Sequence, residues 1–409
     1  MKHLFVWLRR ENGAFARVGE AAATDPAPGG RFESEFEYSR DWQRDPAVFS
    51  LDPASLPLQP SGGRFRAEQF NPPLSVFDDA LPDDWGRRLL AQSLRLEGRA
   101  ASPPEMLVRM EGRGTGALLF AADAAIPEAV SATVETAQLA TLLSAAGKFE
   151  AGTLASDDAF RKLLEGTSRA GGARPKALVH DDSGEWIAKF PSAVRDGPHD
   201  VVGLEGTCLE LARRAGLVVP DARIRSVGRR RVLLVRRFDV TPAGGRIHMV
   251  SMKTLCKERP GVFAQDYSAL ARALERYSAS PAADVAALFR HMAFNAAIGN
   301  VDDHLKNFWM LGTPAGYRLA PAFDLVPDIS GRGEHTLVFQ YGFGCPTREQ
   351  LCEVAQHWRV PNPTTVLDEV VGAVKKFGAT ARKNTVRSTK AFEAVRDDIR
   401  RRLALIGTR

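Results

Sequence analysis

Four cysteines in 409 residues are too few and too scattered to form a disulfide framework. Cys208, Cys256, Cys345 and Cys352 show neither CxxC nor metal-ligand spacing, so reduced thiols in a cytoplasm are expected. No apolar run approaches the roughly 20 residues that cross a bilayer, and no membrane partner is expected. Met1 to Arg10 is too brief for a signal peptide and reads as a first strand. Internal repeats and long low-complexity tracts are also missing, which argues against solenoids and disordered scaffolds.

What remains has the make-up of a soluble globular protein, with 44% hydrophobic and 25% charged residues. Its length suits two domains, or one bilobal unit with an appendage. The formal charge of +6 and pI near 9.2 raise the question of a polyanionic partner. The basic excess gathers between Lys375 and Arg409, yet Val395, Ile399, Leu403 and Ile406 make a helical apolar stripe there. Those basic residues are either a nucleic-acid face or that helix's solvated side, and they lack the interleaved aromatics that stack on single strands.

Three segments are legible. Residues 1–120 are β-rich, with Phe32, Ser34, Phe36 and Tyr38 alternating. After a linker near 121–130 and a short helix near 137–147, a second β-rich segment runs to 240, and residues 241–409 are mainly helical. The expected class is α+β, bilobal and protein-kinase-like, with a β-rich N-terminal subdomain and a mainly helical C-terminal lobe.

The chemistry concentrates in Ile298-Gly299-Asn300-Val301-Asp302-Asp303-His304-Leu305-Lys306-Asn307-Phe308, followed by Pro321-Ala322-Phe323-Asp324. Val285, Leu288, Phe289 and Met292 predict a buried helix that stops at Gly299 and Asn300, leaving Asp302 on a loop. Phe308–Leu311 and Tyr317–Ala320 predict a hairpin turning at residues 312–316, which brings Asn307 beside Asp324. Magnesium-dependent phosphoryl transfer needs this set: a carboxylate to take the hydroxyl proton, and an amide and a second carboxylate on the metal. The same residues also suit caps and turns. His304 reads as a loop brace. Asp303 rivals Asp302 as the base, and the spacing to Asn307 favours Asp302.

Other parts of such a machine occur in order. Residues 166–176, with Thr167, Ser168, Gly171 and Gly172, can cradle an anion with backbone N–H groups or serve as a flexible linker. Lys189 closes an otherwise apolar strand, Trp186-Ile187-Ala188-Lys189-Phe190, as a phosphate ligand or a snorkelling edge lysine. A helix from Gly203 to Ala215 carries Glu205, which could pair with Lys189. The apolar strand Val232–Val235 runs into Arg236, Arg237 and Phe238, a candidate nucleotide hinge.

Together these motifs resemble the HipA family of serine/threonine kinases, the toxins of bacterial toxin–antitoxin pairs. Phe77–Leu90 and Gly114–Phe120 resemble the family's amino-terminal subdomain, so the likeness spans residues 1 to about 345. It implies ATP and Mg²⁺ as cofactors, Asp302 as catalytic base, Asn307 and Asp324 as metal ligands and Lys189 on the phosphates. The glycine loop, the hinge residues Arg236–Phe238 and His304 would complete the ATP site. It implies self-phosphorylation at Ser168, with Thr167 as rival, as an off-switch. The implied partners are a protein substrate (aminoacyl-tRNA synthetases are the family precedent), a HipB-like antitoxin and operator DNA reached through it. A small-molecule phosphotransferase of aminoglycoside type and a non-catalytic antitoxin- and DNA-binding regulator are the alternatives.

Overall fold

The computed structural model describes residues 1–25, 27, 31–59, 62–70, 76–82, 84–93, 103–110, 114–126, 134–154, 162–164, 174–257 and 265–407. The chain divides into two compact units. One comprises Met1–Ala188, Arg237–Pro260 and Leu311–Gly316, the other Lys189–Arg236, Gly261–Met310 and Tyr317–Arg409. The linker expected at 121–130 lies partly outside the described residues.

The first unit contains strands β1 (Lys2–Arg9), β2 (Phe15–Ala23), β3 (Arg31–Tyr38), β4 (Arg64–Phe70) and β5 (Leu118–Ala121). They form one antiparallel sheet in the order β4-β3-β2-β1-β5. Alternation sends Phe32, Phe36 and Tyr38 inward and Arg31, Glu33 and Glu37 to solvent. Phe36 meets Phe77 edge-on at 5.2 Å, and Phe77 meets Phe120 at 5.7 Å. Gly19 is required where β2 passes β3, because a Cβ there would lie 2.2 Å from the Glu37 carbonyl oxygen.

Two acids of the Phe77–Leu90 motif, Asp78 and Asp79, are structural. Asp78 accepts from Arg87 (2.7 Å), and Asp79 accepts from the Ser251 amide and hydroxyl (2.8 and 2.6 Å). β6 (Lys176–Asp181) and β7 (Gly184–Lys189) follow, with the Asp181 carboxylate accepting from Ser183 and Trp186 to close the turn.

The second unit starts at Lys189, the last residue of β7. Helix α1 (Val201–Arg214) is capped by Asp200, whose side chain accepts from the Gly203 amide, and Leu204, Cys208 and Leu211 are buried. β8 (Ala222–Val227) and β9 (Arg230–Arg236) pair antiparallel, with Val232–Val235 buried as expected. Then come α2 (Tyr267–Tyr277) and α3 (Pro281–Ile298). The hairpin β10 (Trp309–Thr313) and β11 (Gly316–Leu319) leads on to α4 (Pro363–Val374) and α5 (Lys390–Gly407). α3 packs on α2, α4 and α5, and every residue from His291 to Ile298 is buried. A helix covered on all sides is the core of its unit, and what hangs from its end is held rigidly.

Two expectations are corrected. The hairpin turns on Pro314 and Ala315 alone, because the Thr313 hydroxyl accepts from the Ala315 amide (3.2 Å) and closes the loop early. In α5, Leu403 is only half-buried, whereas Arg402, read as a basic surface residue, is buried. All four cysteines are free. No helix among the described residues is long and apolar enough to cross a membrane.

Burial pushes the imidazoles of His248 and His291 down to about 4. Histidine in the unfolded chain titrates near 6.5. Between pH 6.5 and 4 the unfolded state therefore binds more protons, and acid lowers stability by up to about 3 kcal/mol per histidine. The thermal midpoint should fall between pH 7 and pH 5, and less so in a His248→Gln, His291→Gln protein. A wild-type midpoint flat across that interval would contradict this.

Candidate active site

α3 ends where the sequence predicts. Gly299 takes a left-handed conformation (φ 69°, ψ 42°), and the Asn300 amide donates to the Asn295 carbonyl (2.9 Å). The loop that follows is pinned residue by residue. Asn300 is buried and its amide donates to Asn295 Oδ1 (3.1 Å). The Val301 carbonyl accepts from the Thr336 amide and hydroxyl (both 3.0 Å) and from Arg332. Asp302, between two buried residues, is exposed.

Burial separates Asp302 from Asp303. Asp303 is fully buried and accepts from four donors: the Tyr267 hydroxyl (2.6 Å), His335 Nδ1 (2.9 Å) and the amides of Thr336 (2.9 Å) and Leu337 (3.2 Å). A carboxylate so enclosed cannot reach a substrate hydroxyl, so it braces the loop. Tyr267 in turn accepts from the Asn295 amide (3.1 Å). Burial, reinforced by the Asp303 charge, pushes the Tyr267 hydroxyl well above its ordinary pKa, so it remains a donor.

Asn307 is buried in a short 3-10 turn, Leu305–Asn307, and its Nδ2 donates to the Asp302 carbonyl (2.6 Å). That bond leaves the amide oxygen as the end that can face a cation. His304 contributes its carbonyl, which accepts from the Asn307 amide (2.8 Å). At the far end of the hairpin, the Ala320 amide donates to the Trp309 carbonyl (2.9 Å). The segment before β10 and the segment after β11 therefore start from one place.

Asp324 has φ 57°, a left-handed conformation uncommon for any residue but glycine. Its Oδ1 accepts from Lys189 Nζ at 2.7 Å, and the same ammonium is paired with Glu205. Lys189 is thus no snorkelling edge residue; its side chain is 14% exposed and lies between two carboxylates. Burial alone would lower the Lys189 pKa, but Asp324 and Glu205 outweigh it and hold the group above its ordinary value. It serves as a fixed positive charge and not as a base.

Asn307 and Asp324 offer an amide and a carboxylate oxygen, the hard donors that magnesium takes. No cluster of three or more His, Cys, Asp or Glu able to hold a metal occurs among the described residues. A two-ligand site completed by phosphates and water fits this donor set.

Ser168, Gly171 and Gly172, with Thr167, lie outside the described residues. At the candidate hinge, the Arg236 amide donates to Asp221 and the Arg237 amide to Glu185, so neither N–H is left for a base edge. The Arg237 side chain is buried and bonds Asp239 (2.6 and 3.0 Å), Glu185 (2.8 Å) and the Gly114 carbonyl (2.7 Å). Burial would raise the Asp239 pKa, but Arg237 holds it below the usual range. The Asp239 carboxylate also accepts from the Gly116 amide (2.6 Å), which gives the Gly114–Phe120 motif a structural role.

Tyr267, His335 and Arg402 were not singled out from sequence, since nothing local marks them. One signal existed: Asn295 interrupts Met292-Ala293-Phe294-Asn295-Ala296-Ala297-Ile298, and a buried amide in so apolar a helix requires partners.

Comparison with known proteins bears on the family and the fold. The HipA-like C-terminal domain matches residues 168–381, more than half of the chain, and the HipA N-terminal domain matches residues 17–121. Y4mE of Sinorhizobium fredii, named as a kinase, is 28% identical over 332 residues, covering 72% of this chain and 73% of that protein. Y4dM of the same organism, also named as a kinase, is 28% identical over 242 residues, covering 52% and 56%. Among solved structures, HipA of the Shewanella oneidensis MR-1 toxin–antitoxin system, seen with HipB and its operator DNA, superposes with a TM-score of 0.67. That match has 20% identity and covers 98% of this chain and 96% of the other. With both HipA domains matched in order and a kinase-like α+β fold, the chain belongs to the HipA family of kinases.

Proposed function

We propose that this protein transfers the γ-phosphoryl group of ATP to a serine or threonine hydroxyl of a protein substrate and thereby arrests growth. The observation that carries the reading is the Lys189–Glu205–Asp324 cluster, in the same compact unit as an exposed Asp302 on a pinned loop. In this reading Asp302 accepts the proton of the attacking hydroxyl. Glu205 keeps the Lys189 ammonium in place to neutralise phosphate oxygens. Asn307 and Asp324 hold Mg²⁺, which when bound draws charge off the phosphates. Functional segments at 1–120, 137–240 and 241–409, and nucleotide contacts from the glycine loop and the Arg236–Phe238 connector, belong to the same proposal.

By analogy with the Shewanella assembly of HipA, HipB and operator DNA, a HipB-like antitoxin is the proposed partner, with operator DNA contacted through it. The family resemblance adds an aminoacyl-tRNA synthetase in the cytoplasm as one candidate target. The direct test is incubation with γ-labelled ATP and Mg²⁺, followed by mass spectrometry of the protein and a lysate. Label on serine or threonine of a lysate protein supports the reading. Label on a metabolite or antibiotic with none on protein overturns it in favour of a small-molecule phosphotransferase, and no transfer at all favours a non-catalytic regulator.

Asp302→Asn and Asp324→Asn should each lower transfer by at least about a hundredfold. Asp303→Asn turns an NH₂ toward His335 Nδ1, so it should lower stability by about 2 kcal/mol and retain more transfer than Asp302→Asn wherever the fold persists. A stable, inactive Asp303→Asn protein beside an active Asp302→Asn protein would reverse the assignment.

Lys189→Ala should weaken nucleotide binding and turnover by tenfold or more. It also removes the ammonium paired with the buried Glu205 carboxylate, so stability falls with it. A Lys189→Ala, Glu205→Gln protein should recover stability and not activity; recovered activity would refute the role of Lys189.

Self-phosphorylation is expected at Ser168, where a phosphate brings about −1.5 to −2 charges beside those of ATP and lowers nucleotide affinity. Ser168→Ala should abolish it. Phosphate found only on Thr167, or undiminished activity in the Ser168 phosphoprotein, would contradict this switch.

A further inference from the structure

We propose that Arg402, on the C-terminal helix α5, is a positioning residue for phosphoryl transfer, acting through His335 and Asp303 on the loop that presents Asp302. The proposal rests on the kinase reading above.

The contacts form an unbroken series. Arg402 Nε donates to Asp398 (2.6 Å), Nη2 to the Gly333 carbonyl (3.1 Å), and Nη1 lies 3.0 Å from His335 Nε2. A guanidinium can only donate, so His335 Nε2 accepts. The other ring nitrogen then carries the hydrogen and donates to Asp303 Oδ2 (2.9 Å). Arg402 therefore fixes the tautomer that Asp303 needs, much as an outer partner orients a catalytic or metal-bound histidine. The same guanidinium lies on the start of the loop: a Cβ at Gly299 would sit 2.7 Å from Arg402 Nε. One side chain thus lies against the helix cap at residue 299 and, through His335, holds the brace at residue 303.

The energetics argue that this series serves geometry. Arg402 is 4% exposed and stands among Val395, Ile399 and Ile406, where an apolar residue would pack at lower desolvation cost. An apolar side chain, however, has no directional bond with which to orient His335. Fully satisfied buried networks fix one arrangement of their members, and the member that matters here adjoins the exposed Asp302.

The test compares wild type with Arg402→Met and Arg402→Lys, using label transferred from γ-labelled Mg–ATP to protein, assayed well below each thermal midpoint. Arg402→Met should lower the rate at saturating ATP between about tenfold and a hundredfold, the penalty of a misplaced reacting group. Half-saturation by ATP should stay within about twofold, and Arg402→Lys should recover part of the rate. An Arg402→Met, His335→Asn protein should be little worse than the poorer single variant, since both break one series. Independently of activity, ¹⁵N spectra of His335 should show the Nδ1–H tautomer in wild type and its loss in Arg402→Met. The proposal is overturned by a folded Arg402→Met protein with wild-type rate, by a deficit that vanishes on cooling, or by an unchanged His335 spectrum. Should the wild type transfer no phosphoryl group, the kinase reading fails, and the His335 spectrum alone decides whether Arg402 sets the brace.

Discussion

A carboxylate removed from water is tolerated only if its lone pairs are met by donors, and Asp303 is where this requirement shapes the protein. Four donors from two parts of the second unit converge on it: Tyr267 from α2, and His335 with the Thr336 and Leu337 amides from one segment. Each must be held in its turn, Tyr267 by Asn295 and His335 by Arg402. The consequence is local rigidity beside a single exposed acid. Two adjacent aspartates thereby differ in burial, though not in chemistry.

The second constraint is electrostatic. Lys189 stands between Glu205 and Asp324, so one ammonium answers two carboxylates. A divalent cation on Asp324 would compete with Lys189 for that carboxylate, and phosphate oxygens would then be natural partners for the ammonium. The left-handed backbone at Asp324 fits such a site, since strain of this kind survives where surroundings over-determine it.

Much of this was legible in the sequence because it is local. Helical periodicity located α3, Gly299 marked its end, and alternation in the strand ending at Lys189 set that side chain apart from Trp186 and Ala188. The pairing of Lys189 with Glu205 followed from the order of strand and helix. What escaped was set by distant contacts. Position 402 falls at helical spacing from Val395, Ile399 and Ile406, but an arginine there reads as solvated until its partners Gly333 and His335, distant in the sequence, are known. Arg237 misled for a related reason. Next to a candidate hinge it suggests a ligand contact, but Glu185 and Asp239 take its guanidinium inward.

The central claim is that Lys189, Asn307, Asp324 and Asp302 form one site for Mg–ATP while Asp303 stays buried as its brace. A crystal structure of the protein with Mg²⁺ and a non-hydrolysable ATP analogue tests it most directly. The account predicts the ion on Asn307 and Asp324, Lys189 on phosphate oxygens and still paired with Glu205, Asp302 facing the terminal phosphate, and the four bonds to Asp303 unchanged. A nucleotide bound away from Lys189 and Asp324, or Asp303 swung out to meet the terminal phosphate, would contradict it.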